Sequence, residues 1–167
     1  MLLAGPAYES DPWESFAVAE VGAAAALAGL LVVACSINIA RIIETPALVQ
    51  RLGATLTQFT GILVVGSLLL VPGQPRWLQG TEMAVVGLIV AGLVFMQRGL
   101  QGLEPQYRRS ALTSVVLATV AALMLATGGA GYATESIGGL YWLVPGMLLG
   151  FAIGLLNAWV ALVEILR

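Results

Sequence analysis

Few residues of this chain can carry chemistry, and most are carboxylates, amides and hydroxyls set among apolar neighbours. Glu20, Glu82 and Glu135 fall at equivalent ends of their apolar segments. A carboxylate at Glu20 either snorkels to the interface or pairs with Arg76, or it joins Glu82 and Glu135 in an acidic mouth that attracts cations or takes up protons. Ser36 and Asn38 sit at roughly the depth of Asn157 on another segment. That arrangement serves either an interhelical hydrogen bond or a small ligand or ion site. Thr57, Gln58 and Thr60 polarise one further stretch, which suits a water-lined face or ordinary helix packing. Glu164 is placed to pair with Arg98 or Arg41.

The chain has no histidine and no lysine, which excludes His-ligated haem or zinc, His-based catalysis and a lysine Schiff base. The remaining bases are carboxylates on opposite sides of the apolar segments. No metal-ligand spacing and no Gly-rich phosphate loop following a strand is present. The expectation is a non-enzymatic protein with no catalytic residue, cofactor or metal. Arg108-Arg109 is too small a basic cluster for nucleic acid and reads as a topology determinant or a contact to anionic lipid. Cys35, the only cysteine, cannot form an intramolecular disulfide.

The elements that must position these groups are apolar and long. Five stretches run roughly over Phe16–Ala40, Thr55–Val71, Met83–Met96, Ala111–Leu125 and Leu140–Leu166. A helix needs on the order of 20 mostly apolar residues to cross a hydrocarbon core of about 30 Å. The first and last stretches meet that length, and the others approach it once their flanks are included. The composition agrees, with 59% hydrophobic and 10% charged residues in 167. A soluble chain this short has too little interior to hide so much apolar surface. The predicted fold is therefore all-α, a polytopic transmembrane bundle of five spans, because helices satisfy their backbone groups span by span. Residues 1–11 read as an external tail and 12–167 as a single transmembrane domain. Met1–Ser15 lacks the basic region of a cleavable signal peptide.

Orientation follows from arginine placement. Arg41, Arg51, Arg98, Arg108, Arg109 and Arg167 share one side of a five-span topology, and only Arg76 lies on the other. The positive-inside rule then places the N-terminus outside and the C-terminus in the cytoplasm. With the acids included, the outer side sums to −5 and the inner side to +3. Trp13, Trp77, Tyr132, Tyr141 and Trp142 all fall near the outer boundary, as an aromatic belt would.

Local chemistry marks the helix starts. Asp11-Pro12-Trp13-Glu14 reads as an N-cap, a proline in the first turn and a carboxylate at the third position. The first helix is expected to run from Pro12 to about Ile43, which at 1.5 Å per residue is about 48 Å. Thr45-Pro46 and Glu104-Pro105 offer similar starts, and Val144-Pro145-Gly146 either starts the last helix or kinks it. Three spans carry small residues at four-residue spacing. The last has Gly146, Gly150, Gly154 and Ala158, the fourth has Ser114, Ala118, Ala122 and Ala126, and the first has the pairs Gly22 with Ala26 and Ala25 with Gly29. Such spacing lets helix backbones approach closely, either within one bundle or between subunits.

The run Ala19-Glu20-Val21-Gly22 through Ala34-Cys35-Ser36-Ile37-Asn38, followed by Arg41-Ile42-Ile43, resembles a group of small five-helix bacterial membrane proteins, notably actinobacterial. Those proteins often bear the label of modulators of the FtsH protease. The likeness is clearest over the first span and first loop and continues as hydropathy beyond them. It implies a multi-pass protein of the bacterial inner (plasma) membrane. Bax-inhibitor-type modulators have paired aspartates in their final helices, whereas the only aspartate here is Asp11. No protease-binding role is carried to any residue.

Two functions remain open at this stage. The first is a homo-oligomer forming a pore or transport path with cation preference, using Glu20, Glu82, Ser36, Asn38 and Asn157 as candidate pore or ion-site residues. The second is a scaffold or modulator subunit of a larger membrane complex, such as a membrane protease. In that case the stripes, led by Gly146, Gly150, Gly154 and Ala158, grip a partner helix. The bilayer is a partner in either.

Overall fold

A computed structural model describes residues 5–97 and 105–166, with backbone alone for 105–107, 162 and 164–166. Among the described residues the chain is entirely helical and turn-connected. The helices are α1 (Glu14–Ile37), α2 (Ile39–Glu44), α3 (Pro46–Leu69), α4 (Arg76–Met96), α5 (Pro105–Thr134) and α6 (Leu143–Leu166). Five helical stretches are long and apolar enough to cross a membrane: Asp11–Ile37, Pro46–Leu69, Arg76–Met96, Arg108–Thr134 and Gly139–Ala161.

Prolines set several boundaries. Pro46 opens α3 after the extended Thr45, and Pro105 opens α5. At a helix start the missing N–H would lack an intrahelical acceptor anyway. Pro145 falls in the first turn of α6, so it does not kink that helix. Two boundaries differ from the sequence reading. Asp11 is not the N-cap of α1 but lies in a 3₁₀ turn, Asp11–Trp13, and α1 starts at Glu14. The first helix also stops at Ile37, because Asn38 leaves helical geometry at φ −111° and ψ 17°. Around that break Ser36 Oγ donates to the Val32 carbonyl at 2.8 Å and Asn38 Nδ2 to the Ala34 carbonyl at 3.2 Å. Side chains that bond back to the preceding turn bend helices in this way.

α3 is the centre of the bundle. It packs against α1, α4 and α6, and glycines admit its neighbours on two sides. A Cβ on Gly61 would stand 2.7 Å from Val90 of α4, and one on Gly66 would stand 2.7 Å from Val21 of α1. The most intimate seam joins α4 and α5. There a Cβ on Gly87 would lie 2.5 Å from the Ala126 amide nitrogen, and one on Gly129 would lie 2.5 Å from that of Ala84. Gly80, Ala84 and Gly87 on α4 thus meet Ala126, Gly129 and Ala133 on α5 nearly backbone to backbone. The sequence reading missed this α4 run because its spacing is four then three rather than a repeated four.

The glycine stripe of α6 is spent inside the chain. Gly146 faces Ala121, Met124 and Leu125 of α5, Gly150 faces Gln58 and Ile62 of α3, and Gly154 faces the Phe59 ring. Ala158 borders the apolar cluster around Phe59. By contrast α1 is peripheral. Only Ala17, Ala24 and Leu31 of α1 are buried, against eleven residues of α3. Nothing lies within 4 Å of where a Cβ would stand on Gly22 or Gly29.

The described part of the N-terminal tail is held to the bundle. The Trp13 indole donates to the Pro6 carbonyl and packs edge-on against Phe16 and Tyr141, at 5.7 and 5.1 Å between ring centres. The Gly138 amide donates to the Tyr8 hydroxyl at 3.3 Å. Gly138 has φ +88°, a left-handed geometry that glycine adopts without cost, in the turn leading to α6.

Candidate functional site

Polar groups gather at both ends of the bundle and leave an apolar middle. At the end carrying the N-terminus, Ser10, Asp11, Glu14, Gln74 and Gln79 line a polar cleft beside the α3–α4 turn. Gln79 is 2% exposed, and its amide nitrogen donates to the carbonyls of Leu68 and Leu69 at 2.8 and 3.3 Å. It thereby closes the C-terminus of α3, where helical carbonyls run out of partners. Glu82 accepts a hydrogen bond from Gln74 Nε2 at 2.7 Å. Glu135 is paired with Arg76, so the possible Glu20–Arg76 pair is not the one formed. Of the three acids expected at the mouth, Glu82 and Glu135 therefore already have partners.

Glu20 stands apart from both. It lies where the packed face of α1 meets the open one, one turn before the exposed Ala23 and the fully buried Ala24. Its Oε2 is enclosed and has no hydrogen-bond partner in the single chain. An unpartnered buried carboxylate oxygen is costly. Of the three acids expected at the mouth, Glu20 is therefore the one with an oxygen left without a partner.

The opposite, arginine-rich end holds the densest polar cluster. Asn157 of α6 is 6% exposed, and its Oδ1 accepts two hydrogen bonds. One comes from Arg51 Nε of α3 at 3.2 Å and the other from Ser114 Oγ of α5 at 2.7 Å. Thr55 bonds back to the Arg51 carbonyl at 3.0 Å, and both Thr55 and Gln58 are 2% exposed. Neither end of the Gln58 amide meets a protein partner, and neither does Gln97 Oε1 at the end of α4. A buried polar group left unpaired costs about 1–3 kcal/mol. These side chains surround a chamber of about 30 Å³ between α3, α4, α5 and α6.

Of the residues expected at a common inner-side site, the structure brings only Asn157 into this chamber. Ser36 and Asn38 turn back onto the first helix, and Asn157 meets Arg51 and Ser114 instead. Gln58 does turn inward, while Thr57 bonds to its own helix and Thr60 is exposed. Arg51 had been read only for topology and Ser114 only as a small residue. The expected pairing of Glu164 with Arg98 or Arg41 lies outside the described side chains.

A third feature is apolar. Leu27, Leu30, Leu31, Cys35, Phe59 and Ala158 are among the residues around a cleft of about 160 Å³ between α1 and α6. Among the described residues no cluster of three histidine, cysteine or acidic side chains could hold a metal ion. No protein-family model matches this chain, and no curated protein or solved structure shows significant similarity to it.

Proposed function

We propose that the protein is a non-enzymatic, multi-pass protein of the bacterial inner membrane that works as a homo-oligomer. Its subunits meet through the small-residue face of α1 between Ala19 and Gly29 and form a cation-preferring path along that contact. In this reading the N-terminus lies outside and the C-terminus in the cytoplasm, which the arginine asymmetry supports. The observation that carries this reading is the combination found on α1. Ala19, Gly22, Ala23, Ala25, Ala26 and Gly29 are exposed there, and at their border Glu20 holds an enclosed oxygen with no partner. Close approach of a second helix would cover the small residues. It would also bring carboxylates near one another, where cations or protons relieve their repulsion.

A path through a single bundle has less support. Between the two polar ends the core is built of Ile62, Val65, Met83, Leu125, Leu143 and Met147, all fully buried. Asp11 and Glu14 keep the outer cleft acidic. The second reading, a scaffold or modulator subunit of a larger membrane complex, would use the same α1 face for a foreign helix.

Glu20→Gln keeps the side chain's shape and removes its charge. Cation flux into liposomes is expected to fall strongly in this variant while the oligomer persists. Equal flux in both proteins would take Glu20 out of the path. No flux in either, with a monomer that co-purifies with another membrane protein, would replace the channel by the scaffold.

A further inference from the structure

We infer that the chamber at the arginine-rich end is an internal hydration site, entered from that end, whose ligand is water. This goes beyond the proposed path, which runs between subunits, because the chamber lies inside one subunit.

The argument begins with the hydrogen-bond inventory. Gln58 is 98% removed from solvent, and both ends of its amide lack a protein partner. Exchanging its oxygen and nitrogen leaves the result unchanged, so the side-chain assignment does not matter here. Gln97 Oε1 adds a second enclosed acceptor on the same chamber. The unsatisfied set is thus two carbonyl oxygens that need donors and one amide nitrogen that needs an acceptor. An occupant must donate and accept at once, which water does and a monatomic ion does not. The volume agrees: about 30 Å³ is enough for one or two water molecules, each needing at least ~10–15 Å³ for its centre.

The neighbouring backbone is arranged to admit that amide. Gly150 has no Cβ, and a Cβ there would stand 2.7 Å from Gln58 Nε2. Small residues thus keep room around a polar side chain that an apolar residue would otherwise fill. The partly exposed lining residues, Arg51, Gln97, Ala111, Ser114 and Val115, lie towards the arginine-rich end, whereas the floor at Thr55 and Gln58 is buried. Beyond the floor the core becomes apolar at Ile62. The arrangement is a wet pocket with a dry end.

The test uses the full chain in bilayers. With glutamine side chains labelled with nitrogen-15, magnetisation passed from water should reach the Gln58 amide, and Gln58→Leu identifies its signal by removing it. A Gln58 amide that receives no water magnetisation overturns the inference. Thiol labelling gives a second measurement. In a Cys35→Ser background, Ala118→Cys places a thiol on the chamber wall, and Ala122→Cys places one a turn further into the apolar core. Hydrogen peroxide, little larger than water, is the probe: the thiolate, which forms only where water reaches it, attacks a peroxide oxygen to give a sulfenic acid with loss of water. Dimedone labelling of that acid after unfolding should be greater at 118 than at 122 on the order of tenfold. Adding Gln58→Leu should abolish the difference. Equal labelling at both positions, or a difference that survives Gln58→Leu, would show loose packing instead of hydration. Ala54→Cys, also on the chamber wall, serves if Ala118→Cys fails to fold.

Discussion

The last helix and the first helix carry the same small-residue spacing and use it in opposite ways. On α6, Gly146, Gly150 and Gly154 are all buried, and each faces a side chain or backbone of α3 or α5. On α1, Gly22 and Gly29 face open space, with Ala25 and Ala26 exposed beside them. Small residues permit a close approach but do not say which helix makes it. What differs is position in the bundle. α6 lies between two long helices of its own chain, whereas α1 rests chiefly on α3 and barely touches α6.

The strongest way to test this contrast is to fill the seams that the chain itself has closed. Gly87→Leu would drive a side chain into the Ala126 backbone, which has nowhere to go. Overpacking costs about 1–3 kcal/mol, and overlap with backbone belongs at the top of that range or above it. Gly150→Leu should cost less, because the first atom met is the amide tip of Gln58, which can swing away. Both losses are read as lower unfolding midpoints in detergent. A Gly87→Leu protein as stable as its parent would mean that α4 and α5 are not so closely joined.

A smaller effect on stability, and a larger one on mass, is expected from Gly22→Leu combined with Gly29→Leu. Substitutions that touch nothing within the subunit change its stability by about 0.5 kcal/mol or less. The mass from light scattering should nevertheless fall to that of one chain. An oligomer that survives the double change would assign the α1 face to lipid. A bundle that loses stability would show that α1 is less peripheral than its contacts indicate.

The extent of the helices along the chain was legible in the sequence, and rotation about the helix axis was not. The five long apolar helices follow from hydropathy, and the starts at Pro46 and Pro105 from the backbone chemistry of proline. Grouping Ser36, Asn38 and Asn157 rested on depth alone. It missed the site because the first two bond back to the Val32 and Ala34 carbonyls. Asn157 turns instead towards Arg51 and Ser114. An arginine near a helix start looks like a topology signal alone, and only the fold shows that it also faces an amide. The break at Asn38 was hidden for a related reason, since the residues around it are apolar enough to continue a helix.

The central place of α3 has a consequence for biosynthesis. Of the five long apolar helices, α3 is the second to leave the ribosome, yet the groups that cover Gln58, Thr55 and Arg51 belong to helices made after it. The exposed side of α1 is apolar or small and asks for no partner within the chain. On α3 the Gln58 amide has no such cover until α5 and α6 follow. α3 is therefore the helix expected to rely most on those made after it, and α6, which brings Gly150 against Gln58, is the last of them.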